Sequence, residues 1–354
     1  MTIYFLINSL HTAGGTERVA TIIANELSIR GYDIGLIALH GGGAPFFQIN
    51  DNVKLHYVNP KGYKNIYTSY LQNVLSLHRL YKNNSVDIVV DVCSAMSLMS
   101  IPATIGLNTK VITWEHFNSN VDWNPITSPS ARKLAKLFST KIVTLTNQDK
   151  ENYKLRYKAK NVTVISNPIT INHTVQSNLS EKRILSIGRF TKQKGFDLLI
   201  HSWALLKNKH DGWKLRIIGH GELKNQLIDL IKELGVDDSV EILPPTTDVV
   251  SEYQNASIYV MSSRFEGLPL VLIEAMSMGL PIISFDCETG PRDVVDHQVT
   301  GVLVEPENIE HLAKAMYVLI RDKNRQLEYS RNAIVKSAEF DIDAIVKSWI
   351  DLFN

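Results

Sequence analysis

The chain has 354 residues, 44% of them hydrophobic, with 37 Lys and Arg against 36 Asp and Glu. Its length exceeds the roughly 250–300 residues at which a single core stops growing, so two domains are expected, and a formal charge of +1 gives no global case for nucleic-acid binding. Cys93 and Cys287 form no metal-type or redox pair and suit a reducing cytoplasm, and no run approaches the roughly 18 uninterrupted apolar residues of a membrane span, so a soluble or membrane-peripheral protein is expected.

Taken in chain order, Ile3 to Ile7 reads as a short apolar strand. It has no basic flank, and it leads into Gly14-Gly15 rather than a signal-type cleavage site. Val19, Ile22, Ile23 and Leu27 then recur at helical spacing until Gly31. Strands follow at 33–39, 53–58, 87–92, 110–114, 141–145 and 162–165, a strand-helix-strand rhythm that predicts parallel strands with covering helices. After Asn167-Pro168 a polar stretch from Asn172 to Glu181, which includes His173, marks a linker. The theme restarts with strands at 183–187, 214–218, 240–243, 257–261, 281–285 and 301–304. The expected fold class is α/β, with two doubly wound domains facing each other across a cleft. Residues 1–170 form an N-terminal acceptor-side domain, residues 171–338 form a C-terminal donor domain, and a terminal helix at 339–354 packs back on the first.

Between Arg264 and Gly279, Glu266 and Glu274 are separated by seven residues. Gly267 opens a tight turn, Pro269 suits the start of a helix, and Gly279 with Pro281 ends it. Glu274 then lies within a helix that is apolar nearly all round and needs a polar partner. One reading pairs Glu274 with a basic side chain and leaves Glu266 solvated. The other has both carboxylates accepting hydrogen bonds from ligand hydroxyls, with an anionic group at the helix N-terminus.

Gly14-Gly15-Thr16 after the first strand leads into a helix and aims backbone amides at the crevice where open α/β sheets bind ligands. The three glycines of a dinucleotide fingerprint are absent there, which counts against a dehydrogenase. In the second half, strand 184–187 is followed by Gly188-Arg189-Phe190-Thr191-Lys192-Gln193-Lys194-Gly195 and a helix. Cations gathered at a helix N-terminus repel it and each other unless an anion is shared, so Arg189 and Lys194 read as phosphate ligands, with a solvated basic loop as the alternative.

In this order, Gly-Gly, Gly-Arg-x-x-x-x-Lys-Gly and Glu-Gly-x-Pro-x-x-x-x-Glu resemble family 4 glycosyltransferases of the GT-B fold, essentially end to end. The resemblance implies a retaining transfer without a metal or other cofactor. It places Glu274 on the nucleotide ribose, Glu266 on the donor sugar's hydroxyls, and Arg189 and Lys194 on the diphosphate. Backbone amides of Gly14, Gly15, Gly267 and Leu268 approach the sugar and phosphates, and His116 contacts the donor sugar. The implied catalytic group is Glu266, His116, Arg189 and Lys194. Two departures stand out: Pro244-Pro245 occupies the place of a glycine before the base-binding loop, and Glu288-Thr289-Gly290-Pro291-Arg292-Asp293 replaces the usual Gly-Gly-x-Pro-Glu turn.

The expected substrates are a nucleotide sugar, UDP-linked by preference, and a glycan or polyprenyl-linked acceptor in surface-polysaccharide assembly. The same fold also serves sugar-nucleotide epimerases and phosphorylases, and a non-catalytic glycan-binding module is the rival from another class. Asp341-Ile342-Asp343 spells a metal-chelating Asp-x-Asp but opens a helix, where carboxylates have a reason of their own. Residues 130–160 carry nine Lys or Arg against two acids, a balance of +7 in 31 residues. Such a face could draw an otherwise cytoplasmic protein to an anionic membrane surface.

Overall fold

A computed structural model describes residues 1–59, 66–122, 124–172 and 174–354; His173, in the polar stretch, lies outside them. The chain divides into two compact units, Met1–Asn167 with Ile342–Asn354, and Pro168–Asp341.

The first unit holds seven parallel strands: β1 (Thr2–Ile7), β2 (Asp33–His40), β3 (Lys54–Asn59), β4 (Ile88–Val92), β5 (Lys110–Trp114), β6 (Lys141–Thr144) and β7 (Val162–Val164). Their order is β3-β2-β1-β4-β5-β6-β7. Residues Ile3 to Ile7 are all buried, as expected for a central parallel strand covered on both faces. β1 pairs with β2 on one side (Ile3↔Ile34) and with β4 on the other (Ile3↔Ile88), so the winding direction reverses between β1 and β4. Tyr4, Leu6, Ile37, Leu39, Leu77, Tyr81 and Val89 pack on one side of this sheet.

The terminal helix, Ile342–Phe353, buries Ile345, Val346, Trp349 and Phe353 at i, i+1, i+4 and i+8, a stripe that winds along one face. Trp349 meets Trp114 edge-on with ring centroids 4.7 Å apart and reaches Phe5 at 6.5 Å.

The second unit holds six parallel strands: β8 (Arg183–Ile187), β9 (Lys214–Ile218), β10 (Val240–Leu243), β11 (Ile258–Met261), β12 (Ile282–Phe285) and β13 (Gly301–Val304). Their order is β10-β9-β8-β11-β12-β13, with the reversal between β8 and β11. Its core joins Ile184, Phe190, Phe196, Trp203, Val260 and Ile283 to Leu312 and Met316 of the helix Ile309–Arg321. A further helix, Lys323–Ser337, was not expected from the sequence. It is rich in polar residues, and its start is set by the Asp322 side chain accepting from the Arg325 amide at 2.9 Å.

Candidate active site

In the second unit the reversal point brings two loops side by side. β8 and β11 are neighbours (Ile258↔Ile184), so the loops leaving their carboxyl ends start next to each other. The Arg264 amide donates to the Gln193 carbonyl at 2.8 Å, Gln193 Nε2 to the Phe265 carbonyl at 3.0 Å, and Ser262 Oγ to the Lys194 carbonyl at 3.1 Å. Gly195 is left-handed (φ +62°), and a Cβ there would lie 2.1 Å from the Ser262 carbonyl oxygen, so only glycine allows this approach. The Arg264 side chain fastens the pair of loops. Its fork meets Asp197 at 3.0 and 2.7 Å, Nη1 also reaches the Lys192 carbonyl at 2.7 Å, and Nε meets Glu307 at 3.1 Å.

The consequence is a buried ion pair. Lys194 Nζ donates to Glu266 Oε1 at 2.6 Å, with the lysine side chain 17% and the glutamate 7% exposed. Glu266 Oε2 has no hydrogen-bond partner among the described residues. The peptide after Glu266 is seated from the β12 side: Thr289 Oγ1 donates to the Glu266 carbonyl, and Gly290 (φ +98°) lies where a Cβ would come within 2.6 Å of the Gly267 carbonyl oxygen. Gly267 and Leu268 precede the helix Leu270–Ser277, whose N-cap is Pro269.

Glu274 is 4% exposed inside that helix. Tyr253 donates to its Oε2 at 2.8 Å and Thr170 Oγ1 donates to its Oε1. Of the reading that paired Glu274 with a basic side chain and left Glu266 solvated, the part on Glu266 fails: the loop carboxylate is buried and holds the Lys194 ammonium, while the Tyr253 and Thr170 hydroxyls donate to the helical one. The cause is strand order, because the β8 and β11 loops lie together while Tyr253 reaches Glu274 from the helix Val249–Gln254. Arg189 is exposed and makes no ion pair among the described residues.

Sequence reasoning missed two hydroxyls in the same loops. Thr191 Oγ1 and Ser263 Oγ are sealed from solvent with no hydrogen-bond partner among the described residues. A buried hydroxyl without a partner is costly and marks a place where a ligand can complete it. Nothing in a Ser-Ser or Phe-Thr dipeptide signals that burial.

In the first unit, Gly14 caps the helix Gly15–Ile29. The Glu17 carboxylate leans over Gly14, within 2.0 Å of where a Cβ would stand, and accepts from Thr12 Oγ1 at 2.8 Å. The helix N-terminus thus already has an acid beside it. His116 follows β5, 8% exposed, its ring 4.3 Å from that of Trp114. Burial pushes its pKa down to about 3, so the imidazole is neutral near pH 7, and its Nε2 is buried without a partner among the described residues.

The loop carrying His116 is held by a knot of buried charge. Arg132 pairs with Glu115 at 2.8 Å and with Asp122 at 2.8 Å, and donates to the Ser119 carbonyl at 2.9 Å. Tyr153 also donates to Glu115 at 2.8 Å, and Asp149 accepts from the Ser119 amide at 2.8 Å and its hydroxyl at 2.6 Å. Arg132 is therefore no part of a basic surface. Arg156 pairs with Asp122 and Lys154 with Glu151, so the run at 130–160 presents fewer free cations than its composition suggests.

Residues 13–173 match the model described as Glycosyltransferase Family 4, and residues 170–336 match that of Glycosyl transferases group 1. An uncharacterized glycosyltransferase of Haemophilus influenzae is 37% identical over 346 residues, 98% of each chain. The amylovoran biosynthesis glycosyltransferase AmsD of Erwinia amylovora is 31% identical over 99% of this chain and 98% of its own. The chain is a family 4 glycosyltransferase. Among solved structures, Anabaena Alr3699/HepE in complex with UDP and glucose superimposes with a TM-score of 0.82 at 19% identity, over 99% of each chain. The enzyme thus has the GT-B fold, built from two Rossmann-like units.

Among the described residues of this glycosyltransferase, no group of three His, Cys, Asp or Glu is placed to hold a metal ion. Asp343 instead pairs with Arg30. No described helix is long and apolar enough to cross a membrane.

Proposed function

We propose that the enzyme transfers a hexose or N-acetylhexosamine, with retention and without a metal, from a nucleotide sugar to a glycan or polyprenyl-linked acceptor in surface-polysaccharide assembly. The observation that carries this is the grouping at the β8/β11 reversal: Lys194 on Glu266, an unengaged Arg189, and the buried carboxylate of Glu274 with hydroxyl partners. Arg189 and Lys194 stabilise the negative charge that grows on the leaving diphosphate as the sugar becomes oxocarbenium-like. Glu266 accepts from the sugar's hydroxyls and Glu274 from the ribose. Amides of Gly267 and Leu268 approach the sugar and phosphates.

Gly14, Gly15 and His116 are assigned to the same donor. For the first two, a phosphate would share the helix N-terminus with the neighbouring Glu17 carboxylate. His116, being neutral, serves as a hydrogen-bonding group to the sugar rather than as an acid. UDP is the favoured carrier, in keeping with the UDP of the Anabaena complex, and the polysaccharide role accords with the amylovoran relative.

The test is calorimetry with UDP, GDP, ADP and their common sugar conjugates, repeated with EDTA, followed by product analysis. Saturable, EDTA-insensitive binding of one nucleotide family is expected. Absence of binding by folded protein would remove the donor site, and release of a modified sugar nucleotide without acceptor would indicate an epimerase. Peripheral docking on anionic lipid rests on Lys133, Lys136, Lys150, Lys158 and Lys160 with the exposed Leu137, Phe138 and Leu155. Co-sedimentation indifferent to anionic lipid would overturn it.

A further inference from the structure

The Lys194–Glu266 ion pair leaves each partner with a task that excludes the other. The two neutralise each other in a largely enclosed place, 17% and 7% exposed. On the donor-site reading above, on which this inference rests, a diphosphate draws on Lys194 while sugar hydroxyls draw on Glu266. We propose that this pair is an exchange element that makes the site select a nucleotide sugar over the free nucleoside diphosphate, and that it re-forms after transfer to expel the diphosphate product.

The argument is one of satisfied and stranded charge. A free diphosphate that recruits Lys194 leaves the Glu266 carboxylate enclosed, without its cation and beside a new anion, and removing one partner of a buried pair is strongly unfavourable. A nucleotide sugar brings its own remedy, because hydroxyls on the sugar donate to Glu266, whose Oε2 is unoccupied by any described residue. Once the sugar has passed to the acceptor those donors are gone. Glu266 then recovers the Lys194 ammonium, which stands 2.6 Å from its Oε1 in this structure, and the diphosphate loses a cation. The two loops need no large movement for this, since backbone and side-chain hydrogen bonds already hold them in register. One lysine rotamer carries the exchange.

The experiment is calorimetry of UDP, UDP-glucose and UDP-N-acetylglucosamine, with stopped-flow measurement of UDP dissociation, on the wild type, Glu266→Gln, Lys194→Gln and Asp286→Asn. The last is a charge control: Asp286 and Glu266 are both within electrostatic reach of the Cys287 thiol, but Asp286 is paired with Arg292 rather than Lys194. In the wild type the preferred sugar conjugate is expected to bind at least about tenfold more tightly than UDP, the scale carried by one desolvated charge pair. Glu266→Gln should tighten UDP by about tenfold, slow its release and abolish the preference, while Lys194→Gln weakens both ligands. Asp286→Asn should change UDP affinity far less. If Glu266→Gln binds UDP no better than the wild type, or if Asp286→Asn tightens it equally, the exchange is overturned while the donor site stands. If the wild type binds none of the three, the donor site itself falls and the exchange falls with it.

Discussion

Arg264 is the residue whose loss should separate stability from catalysis most clearly. Replacing it by methionine removes the fork to Asp197, the contact with Glu307 and the donor to the Lys192 carbonyl. Asp197 and Glu307 are 41% and 56% exposed, so solvent screens both pairs and together they contribute about 1 kcal/mol. The carbonyl left without its donor adds about 1 kcal/mol. A loss of about 2 kcal/mol is small against a total of roughly 5–15 kcal/mol and should lower Tm by about 4–8 °C. The catalytic effect should be larger, because the same guanidinium registers the loop of Lys194 against that of Glu266. A misplacement near 1 Å between groups that act together costs on the order of 100-fold in rate. Steady-state kinetics in a UDP-release assay, beside thermal melts, are expected to show kcat down by about 10- to 100-fold. Arg264→Lys keeps the charge but not the fork. It should recover most of the Tm and little of kcat. A variant that melts early yet turns over within twofold of the wild type would show that the clamp merely holds the fold, and the reasoning would fail.

Two further outcomes follow from buried polar groups. Tyr253→Phe deprives Glu274 of its donor at 2.8 Å and should weaken nucleotide binding by about five- to tenfold in calorimetry, in step with a small loss of Tm; unchanged affinity would detach Glu274 from the nucleotide. Burial pushes the Asp91 carboxyl up to about 7, partly offset by donation from Ser100 and Ser97. The folded chain then keeps a proton that the unfolded chain releases nearer 3.8, so this group's contribution declines as pH rises through that interval, and its cost is complete above about 7. Asp91→Asn should accordingly melt higher than the wild type at pH 8 and equal it near pH 4; a constant offset at both would show that Asp91 does not titrate there.

The strand pattern was legible because central parallel strands are continuous apolar runs, and the loop glycines were legible because close backbone approach leaves no room for a side chain. Partners were not. Arg264 stands inside the most informative segment, yet its role depends on Asp197, 67 residues earlier, which only the order of β8 and β11 brings within reach. Glu274 was visible as a carboxylate needing a partner, whereas Glu266 could equally be read as solvated. That Lys194 reaches Glu266 and that the Tyr253 and Thr170 hydroxyls reach Glu274 depends on the fold, and neither hydroxyl belongs to a motif. The helix Lys323–Ser337 escaped notice for a related reason: it is polar along much of its length and gains its contacts from the helices Leu270–Ser277 and Ile309–Arg321.

The return of Ile342–Phe353 to the first unit means that the second unit is an insertion within the first. On the ribosome, β1 to β7 are made before the second unit, but the apolar ground around Phe5 and Trp114 stays uncovered until Trp349 has emerged. The inserted unit holds all its strands in one continuous stretch of chain and can close on itself beforehand. The unit begun first is thus the unit completed last, and a chain that stalls or is cut before Ile342 carries an unfinished first unit with a finished second one.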